Sequence, residues 1–149
     1  MTDSAADHRL LREAIELSRR CPPSDSAFSV GAVLVGADGA VLSTGYSRES
    51  DRRDHAEEAA LAKVAGQPGP GATIYSSLEP CLRRLSRPRS CCELIAAAGI
   101  TRVVLAWREP PIFVLGGGAA WLEGHGVLVT EVPGLGPEAR AVNAHLLPG

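Results

Sequence analysis

Residues 54–92 read DHAEEAALAKVAGQPGPGATIYSSLEPCLRRLSRPRSCC, and this stretch decides the fold and chemistry expected of the chain. Its one histidine, His55, is followed two residues later by a carboxylate, Glu57. Its thiols are separated, with Cys81 before an arginine-rich segment and Cys91-Cys92 after it. A catalytic zinc typically takes three protein ligands from histidine, cysteine and carboxylate side chains and keeps a fourth position for water. The stretch therefore predicts a catalytic zinc centre.

Secondary-structure patterns on both sides of this stretch predict an α/β fold. Apolar residues spaced by about 3.6 predict a helix over 7–20. Two apolar, β-branched runs at 30–35 and 41–46 flank a turn and predict a hairpin. The other predicted elements are a helix at 55–65, a strand at 73–77, a helix at 91–98, a strand at 102–106, a short helix or irregular crossover at 119–123, a strand at 128–132 and a helix at 137–147. Strands that alternate with helices after a hairpin predict a mixed five-stranded sheet flanked by helices.

Length and composition are those of one globular domain, which we expect to cover residues 1–149. The chain is 45% hydrophobic and 21% charged, as is usual for a globular protein. Its apolar runs, such as 95–100, are far shorter than the roughly 20 residues of a membrane span. Residues 1–12 lack the basic start and apolar stretch of a secretory signal. We therefore expect a cytoplasmic protein without a membrane partner.

Charge and cysteine content narrow the function classes further. A formal net charge of −2 and 4% aromatic residues argue against a nucleic-acid partner. Four cysteines in a chain without a secretory signal favour reduced thiols over disulfides. The thiols are then metal ligands or core residues.

The predicted site combines thiolates with a proton carrier. His55 and Cys91 each open a predicted helix, where the positive end of the helix dipole favours a thiolate. On a regular helix Glu57 projects about 200° from His55, so it does not share the ligand face. In the first turn its carboxylate can still face a metal-activated water as a general acid and base.

The segments His55-Ala56-Glu57 and Pro80-Cys81 resemble the H-x-E and P-C-x-x-C signature of the zinc-dependent cytidine-deaminase superfamily. The resemblance extends from residue 30 onward and implies a cytidine-deaminase-like three-layer sandwich. It also implies that His55 and Cys81 bind zinc, that a further cysteine completes the set, and that Glu57 shuttles protons.

The spacing of the thiols is similar to the deaminase domain of bifunctional riboflavin-biosynthesis enzymes. Nine residues separate Cys81 from Cys91, where the short signature has two. In those enzymes Leu-Glu-Pro-Cys precedes a basic, proline-containing loop and a Cys-Cys pair. The likeness implies that Cys91 binds zinc and Cys92 packs behind it, although the loop is one residue longer and the opposite choice stays open. It also implies that Arg87 contacts a substrate phosphate, with a solvated loop as the alternative.

Two differences from the sequence pattern of the riboflavin-biosynthesis enzymes affect the prediction of the substrate. The order Ala27-Phe28-Ser29-Val30-Gly31 looks more like the Phe-x-Val-Gly-Ala of cytidine deaminases than the Asn-Pro of the riboflavin enzymes, and their His-His-Gly is absent. By likeness to residues beside the base in related enzymes, Phe28 and Ser47 line the pocket, and packing is the alternative for Phe28. Backbone groups near Ala56 are expected to stabilise the reaction intermediate.

These observations predict a zinc-dependent hydrolytic deaminase of an aminopyrimidine nucleotide, with the riboflavin-pathway diaminopyrimidine ribotide as the favoured substrate. One alternative is a cytosine-type deaminase acting on dCMP, cytidine or an antibiotic nucleoside. An alternative of another class is a non-catalytic, zinc-stabilised module that binds nucleotides or proteins. We expect a homo-oligomer, a dimer or tetramer, and a separate protein for the reductase step.

Overall fold

The computed structural model describes residues 4–84, 87–113 and 116–148. Within these residues five strands form a sheet in the order β2-β1-β3-β4-β5. The strands are β1 Gly31–Val35, β2 Val41–Tyr46, β3 Thr73–Ser76, β4 Arg102–Leu105 and β5 Leu128–Glu131. The helices are α1 Ala5–Ser18, α2 Ala56–Ala62, α3 Cys91–Ala97, α4 Gly118–Gly124 and α5 Gly136–Val142, with 3₁₀ turns at Pro133–Leu135 and Ala144–Leu146.

The sheet is mixed, as the sequence predicts. Strand β1 pairs antiparallel with β2 and with β3, whereas β3, β4 and β5 run parallel. Every residue of β1 is buried, which fits a central strand covered on both faces. The predicted five-stranded sheet is confirmed.

Helices cover both faces of the sheet. Helix α1 packs on β1 and β3 and also contacts α5, whereas α2 packs on β1 and β2, and α3 and α4 continue the layer of α2. Two glycines allow this close approach. A Cβ atom at Gly31 would collide with the carbonyl oxygen of Ala14 in α1, and one at Gly45 with that of Ala56 in α2. Gly45 pairs with Ala32, the neighbour of Gly31, so the two glycines face opposite sides of the sheet. The three-layer sandwich is confirmed.

The first helix begins two residues before its predicted start. Ser4 caps it, since the Ser4 hydroxyl accepts a hydrogen bond from the Asp7 backbone N–H at 3.1 Å. The Asp7 carboxylate in turn accepts one from the Ser4 N–H at 3.0 Å. This reciprocal capping satisfies two of the N–H groups that a helix end leaves free.

The predicted continuous helix at 137–147 is wrong. Helix α5 ends at Val142, and the next residue, Asn143, has a non-helical backbone. The buried Asn143 side chain accepts a hydrogen bond from the Ser29 N–H at 2.7 Å and donates one to the Ser29 carbonyl at 3.0 Å. This contact with a segment 114 residues away replaces the next helical turn.

Among the described residues, no helix is long and apolar enough to cross a bilayer.

Candidate active site

The three predicted metal ligands meet where two helices begin. His55 is the N-cap residue of α2, Cys81 follows β3, and Cys91 is the first residue of α3. The His55 Nδ1 atom lies 3.5 Å from the Cys81 Sγ and 3.4 Å from the Cys91 Sγ. The three ligand atoms all lie within 4.8 Å of one another. The sequence places these residues up to 36 positions apart, and the fold brings them together.

These separations fit zinc. Zinc–nitrogen bonds of about 2.05 Å and zinc–sulfur bonds of about 2.3 Å, at a tetrahedral angle, place the nitrogen and sulfur about 3.6 Å apart. The observed separations of 3.5 and 3.4 Å are close to this value. Two thiols and an imidazole are also the donor types that zinc prefers. His55, Cys81 and Cys91 therefore form a potential zinc site.

The two ligand thiols share a strongly polarised environment. The Cys91 backbone N–H donates a hydrogen bond to the Cys81 Sγ at 3.3 Å. Hydrogen bonding from the Cys91 thiol, and then from His55, lowers the pKa of Cys81 to about 4 against the effect of burial. The same hydrogen bond together with burial raises the pKa of Cys91 well above its usual value. When both thiols of such a pair bind a metal ion, the ion takes the place of the proton that they share.

Cys92 points away from this site. Its Sγ lies 3.4 Å from the Pro80 carbonyl oxygen and 3.6 Å from that of Gly118, the first residue of α4. Burial raises the pKa of the Cys92 thiol, so it stays neutral. Cys92 packs behind the site, and the structure brings Cys91 to the metal position.

Glu57 is buried beside the metal position, with only 3% of its surface exposed. The Ser76 hydroxyl has one proton and two acceptors within reach, the Leu78 carbonyl at 2.7 Å and the Glu57 carboxylate at 3.3 Å. The shorter contact is the stronger, so the Ser76 hydroxyl hydrogen bonds mainly to the Leu78 carbonyl and only weakly to Glu57. Burial, followed by the negative charge of Cys81, raises the pKa of Glu57 to about 6. A carboxyl group with a pKa near neutrality can both take up and release a proton at neutral pH.

A cavity of about 620 Å³ opens onto His55, Glu57 and Cys81. This volume suits a small organic ligand. The predicted contact residues Phe28, Ser47 and Ala56 line it. The other lining residues are Ser26, Ala27, Val30, Arg48, Arg52, Arg53, Asp54, Leu78, Glu79, Arg83, Arg84, Glu109 and Phe113.

Arg87, predicted to contact a phosphate, is not among the residues that line the cavity. Its guanidinium lies 3.2 Å from the carboxylate of Asp54, 3.4 Å from that of Glu58 and 3.9 Å from that of Asp51. These acids precede or open α2, so Arg87 fastens the loop between the cysteines to the start of that helix. Its role toward substrate stays a prediction.

Two other arginines face the cavity without such acidic partners. Arg52 comes from the loop before α2, and Arg83 from the loop after Cys81. In the described part of the chain, no hydrogen bond or ion pair engages either guanidinium, whereas Arg53 binds Asp51 at 3.1 Å. The sequence marked both loops as charged. The sequence does not distinguish Arg52 and Arg83 from neighbouring arginines that bind an acid, because such pairing depends on tertiary contacts.

An aromatic cluster forms an apolar wall of the cavity. The Phe28 ring contacts Trp107 and Phe113 edge to face, with ring centroids 5.7 and 5.0 Å apart. Arg48 fixes the backbone beside it, because its guanidinium donates to the Phe28 carbonyl at 3.2 Å and to the Ser29 hydroxyl at 2.8 Å. Phe28 therefore both packs in this cluster and faces the cavity. Phe113 has no sequence signal that could have identified it.

Glu109 is a further carboxyl group in the cavity that the sequence patterns missed. It follows β4 by four residues. Burial, and then the charges of Cys81 and Glu57, raise its pKa to about 8. It belongs to no motif, so only the fold reveals its position.

The chain is similar in sequence to known deaminases. The family model of the cytidine and deoxycytidylate deaminase zinc-binding region matches residues 4–107. A diaminohydroxyphosphoribosylamino-pyrimidine deaminase of Schizosaccharomyces pombe is 44% identical over 123 residues, which are 80% of this chain and 30% of that protein. The chain spans only about three tenths of the length of several curated relatives that it matches.

Solved structures show the same fold. The Rib2 deaminase of Aspergillus oryzae, crystallised in complex with DARIPP, superposes with a TM-score of 0.80 at 26% identity, over 93% of this chain and 90% of that one. A diaminohydroxyphosphoribosylaminopyrimidine deaminase/5-amino-6-(5-phosphoribosylamino)uracil reductase of Thermotoga maritima has a TM-score of 0.75 at 29% identity, over 92% of this chain and 39% of that one. Because the family model matches more than half of this chain, the chain belongs to the cytidine and deoxycytidylate deaminase zinc-binding family.

Proposed function

We propose that this protein is a zinc-dependent hydrolytic deaminase of an aminopyrimidine nucleotide, and that the substrate is the diaminopyrimidine ribotide named for its relatives. The observation that carries the proposal is the convergence of His55, Cys81 and Cys91 beside the buried Glu57, at a cavity large enough for a nucleotide base. A structural zinc site would be closed by a fourth protein ligand. Among the described residues the cluster of potential ligands holds three, which supports a catalytic role.

Glu57 carries the proton transfers in this proposal. Bound zinc acts as a Lewis acid that makes water nucleophilic at neutral pH. Glu57 takes one proton from the attacking water and delivers it to the ring nitrogen, where it stays. It then takes the second proton, from the hydroxyl group now on the ring carbon, and delivers it to the amine, which leaves as ammonia. Backbone groups near Ala56 and Cys81 stabilise the tetrahedral intermediate. The raised pKa of Glu57 suits both halves of this exchange.

Arg52 and Arg83 supply the phosphate contacts. They stand on two loops that border the same cavity, and in the described structure neither is neutralised by an acid. Guanidinium groups bind phosphate through paired, charge-assisted hydrogen bonds. We expect Arg52→Ala and Arg83→Ala each to raise KM for a ribotide far more than for the matching nucleoside. Arg89→Ala is the control from the same loop, and Arg87→Ala tests the sequence-based assignment in the same assay.

The diaminopyrimidine ribotide is favoured over a cytosine-type substrate by the relatives, and the Phe28 wall is compatible with either ring. A deaminase that converts this ribotide to a 5-amino uracil removes one ring amine and leaves the amine at position 5. The cavity then accommodates a base with an additional hydrogen-bond donor. Glu109 supplies an acceptor oxygen on its lining.

We propose that residues 1–149 form one deaminase domain and that the protein is cytoplasmic, with a small-molecule substrate and no nucleic-acid or membrane partner. We also propose a homo-oligomer, a dimer or tetramer. Val41 and Leu42 support this assembly, since both lie 45% or more exposed on the edge strand β2. Exposed apolar side chains on an unpaired edge favour association.

A substrate panel tests the proposal. Zinc-loaded protein is incubated with the diaminopyrimidine ribotide, its dephosphorylated form, cytidine and dCMP, and the ammonia released is measured. We expect the highest kcat/KM for the ribotide. Preferential turnover of cytidine or dCMP would replace the proposed substrate with a cytosine-type one, and no ammonia from any of the four would leave a binding module as the function.

A further inference from the structure

The Glu109 side chain is a cavity group that the proposed proton transfers do not use. Its backbone is fixed, because the Glu109 N–H donates a hydrogen bond to the Glu79 carboxylate at 2.9 Å. The Glu79 carboxylate also accepts a hydrogen bond from the Ala119 N–H at 2.8 Å. Glu79 thus ties the segment after β4 to the start of α4. Glu109 is held at the cavity wall by a buried and rigid neighbour.

The Glu109 carboxyl group itself lacks a protein partner. Across residues 4–84, 87–113 and 116–148, no hydrogen bond or ion pair reaches it. The neighbouring Arg108 is turned to Glu131 at 3.0 Å and lies 3.9 Å from Glu79. A half-buried carboxyl group without a donor is costly to keep in a folded protein. Such a group in a ligand cavity marks a position where the ligand supplies the donor.

The chemistry of the proposed substrate supplies such a donor. A carboxyl group keeps an acceptor oxygen in either protonation state and can therefore accept a hydrogen bond from an N–H group. The diaminopyrimidine carries an amine at position 5 that the reaction leaves in place, whereas a cytosine ring carries only a C–H group there. A polar side chain in a cavity discriminates strongly against an analogue that leaves it unpaired.

We propose that Glu109 is a specificity-determining residue that accepts a hydrogen bond from the retained 5-amino group of the diaminopyrimidine. The assignment rests on the proposed deaminase function and deepens it. It explains how a cavity with a cytidine-deaminase-like Phe28 wall selects a diaminopyrimidine over cytosine. The specificity then comes from the segment after β4, outside the metal-binding segments.

Two probes test this assignment, the diaminopyrimidine ribotide and its analogue with hydrogen in place of the 5-amino group. We expect the wild-type protein to favour the 5-amino compound in kcat/KM by about 2- to 100-fold, the range from a neutral hydrogen bond to one with a charged group. Glu109→Ala should abolish this preference and leave kcat/KM for the 5-hydrogen analogue within about twofold of wild type. The control Glu123→Ala, an exposed residue of α4, should retain the full preference.

The other outcomes are equally decisive. An equal loss of kcat/KM for both probes in Glu109→Ala, with zinc content unchanged, would show a role in the reaction or in folding and overturn the assignment. Glu109→Gln keeps an acceptor oxygen and should retain part of the preference, which keeps the test usable if Glu109→Ala does not fold. Absence of ammonia release by the wild type from both probes refutes the proposed function itself. That failure is distinct from turnover without a 5-amino preference, which refutes only the role of Glu109.

Discussion

Replacing Glu79 by glutamine is expected to destabilise the segment between β4 and α4. The Glu79 side chain is 3% exposed, and its two oxygens accept hydrogen bonds from the backbone N–H groups of Glu109 and Ala119. Glutamine exchanges one oxygen for an NH₂ group, which cannot accept, so one buried N–H loses its partner. An unsatisfied buried donor costs about 1–3 kcal/mol.

This cost can be measured by thermal unfolding. For a chain of about this size, 1 kcal/mol corresponds to about 2–4 °C in Tm, so Glu79→Gln should lower Tm by about 2–12 °C. The matched control is Glu131→Gln, which removes an ion pair with Arg108 whose side chains are 32% and 57% exposed. An exposed pair contributes about 0–1 kcal/mol. The reasoning is refuted if circular dichroism melts of zinc-loaded Glu79→Gln and Glu131→Gln give the same Tm.

Three further predictions concern the fold and the metal. Asp7→Asn removes the carboxylate that the Arg102 guanidinium contacts at 2.9 and 2.8 Å. It should therefore lower the free energy of unfolding, measured in urea at pH 7, by about 3–5 kcal/mol. The Arg102 hydrogen bonds hold the pKa of Asp7 well below its usual range. The difference in the free energy of unfolding between the wild type and Asp7→Asn should therefore be full above about pH 4 and shrink as the pH falls below that value. A difference that does not change with pH would contradict this. Asn143→Ala should lower Tm and raise KM through loss of the two Ser29 contacts, whereas an unchanged KM would mean that the C-terminal segment does not position the cavity wall. Cys91→Ser should lose bound zinc, as measured by atomic absorption, and Cys92→Ser should retain it; equal retention would make the ligand assignment wrong.

The strands could be predicted because their signal is local. Runs of β-branched and apolar residues predict all five strands to within one residue at each end, and the hairpin followed by alternating helices and strands predicts that the sheet is mixed. The end of α5 could not be predicted in this way. Asn143 leaves the helix because of a hydrogen-bonded partner at Ser29, and no local pattern reveals a contact over that separation.

The metal centre was accessible to sequence reasoning because its ligands belong to a motif with a chemical purpose. The zinc cofactor and the deaminase-like fold are confirmed, and the geometry brings together His55, Cys81 and Cys91. The residues that contact the substrate were harder to predict from the sequence. Arg87 was preferred by alignment, yet its position beside Asp54 depends on how the loop folds against α2.

Isolated residues on separate loops were the hardest to foresee. Arg52, Arg83 and Glu109 meet at one cavity only after the sheet is assembled. Their importance lies in the partners that they lack within the described structure. Such a property is a result of packing and charge placement, and no spacing rule encodes it.

The most direct test of the account is ammonia release from the diaminopyrimidine ribotide by Glu57→Gln, measured with its zinc content. We predict wild-type zinc content, since Glu57 is not a ligand, together with a fall in kcat of about 10²–10⁴-fold, the usual contribution of general acid–base catalysis. Ammonia release at the wild-type rate by the zinc-loaded variant would contradict the central claim that Glu57 carries the protons of a zinc-dependent deamination.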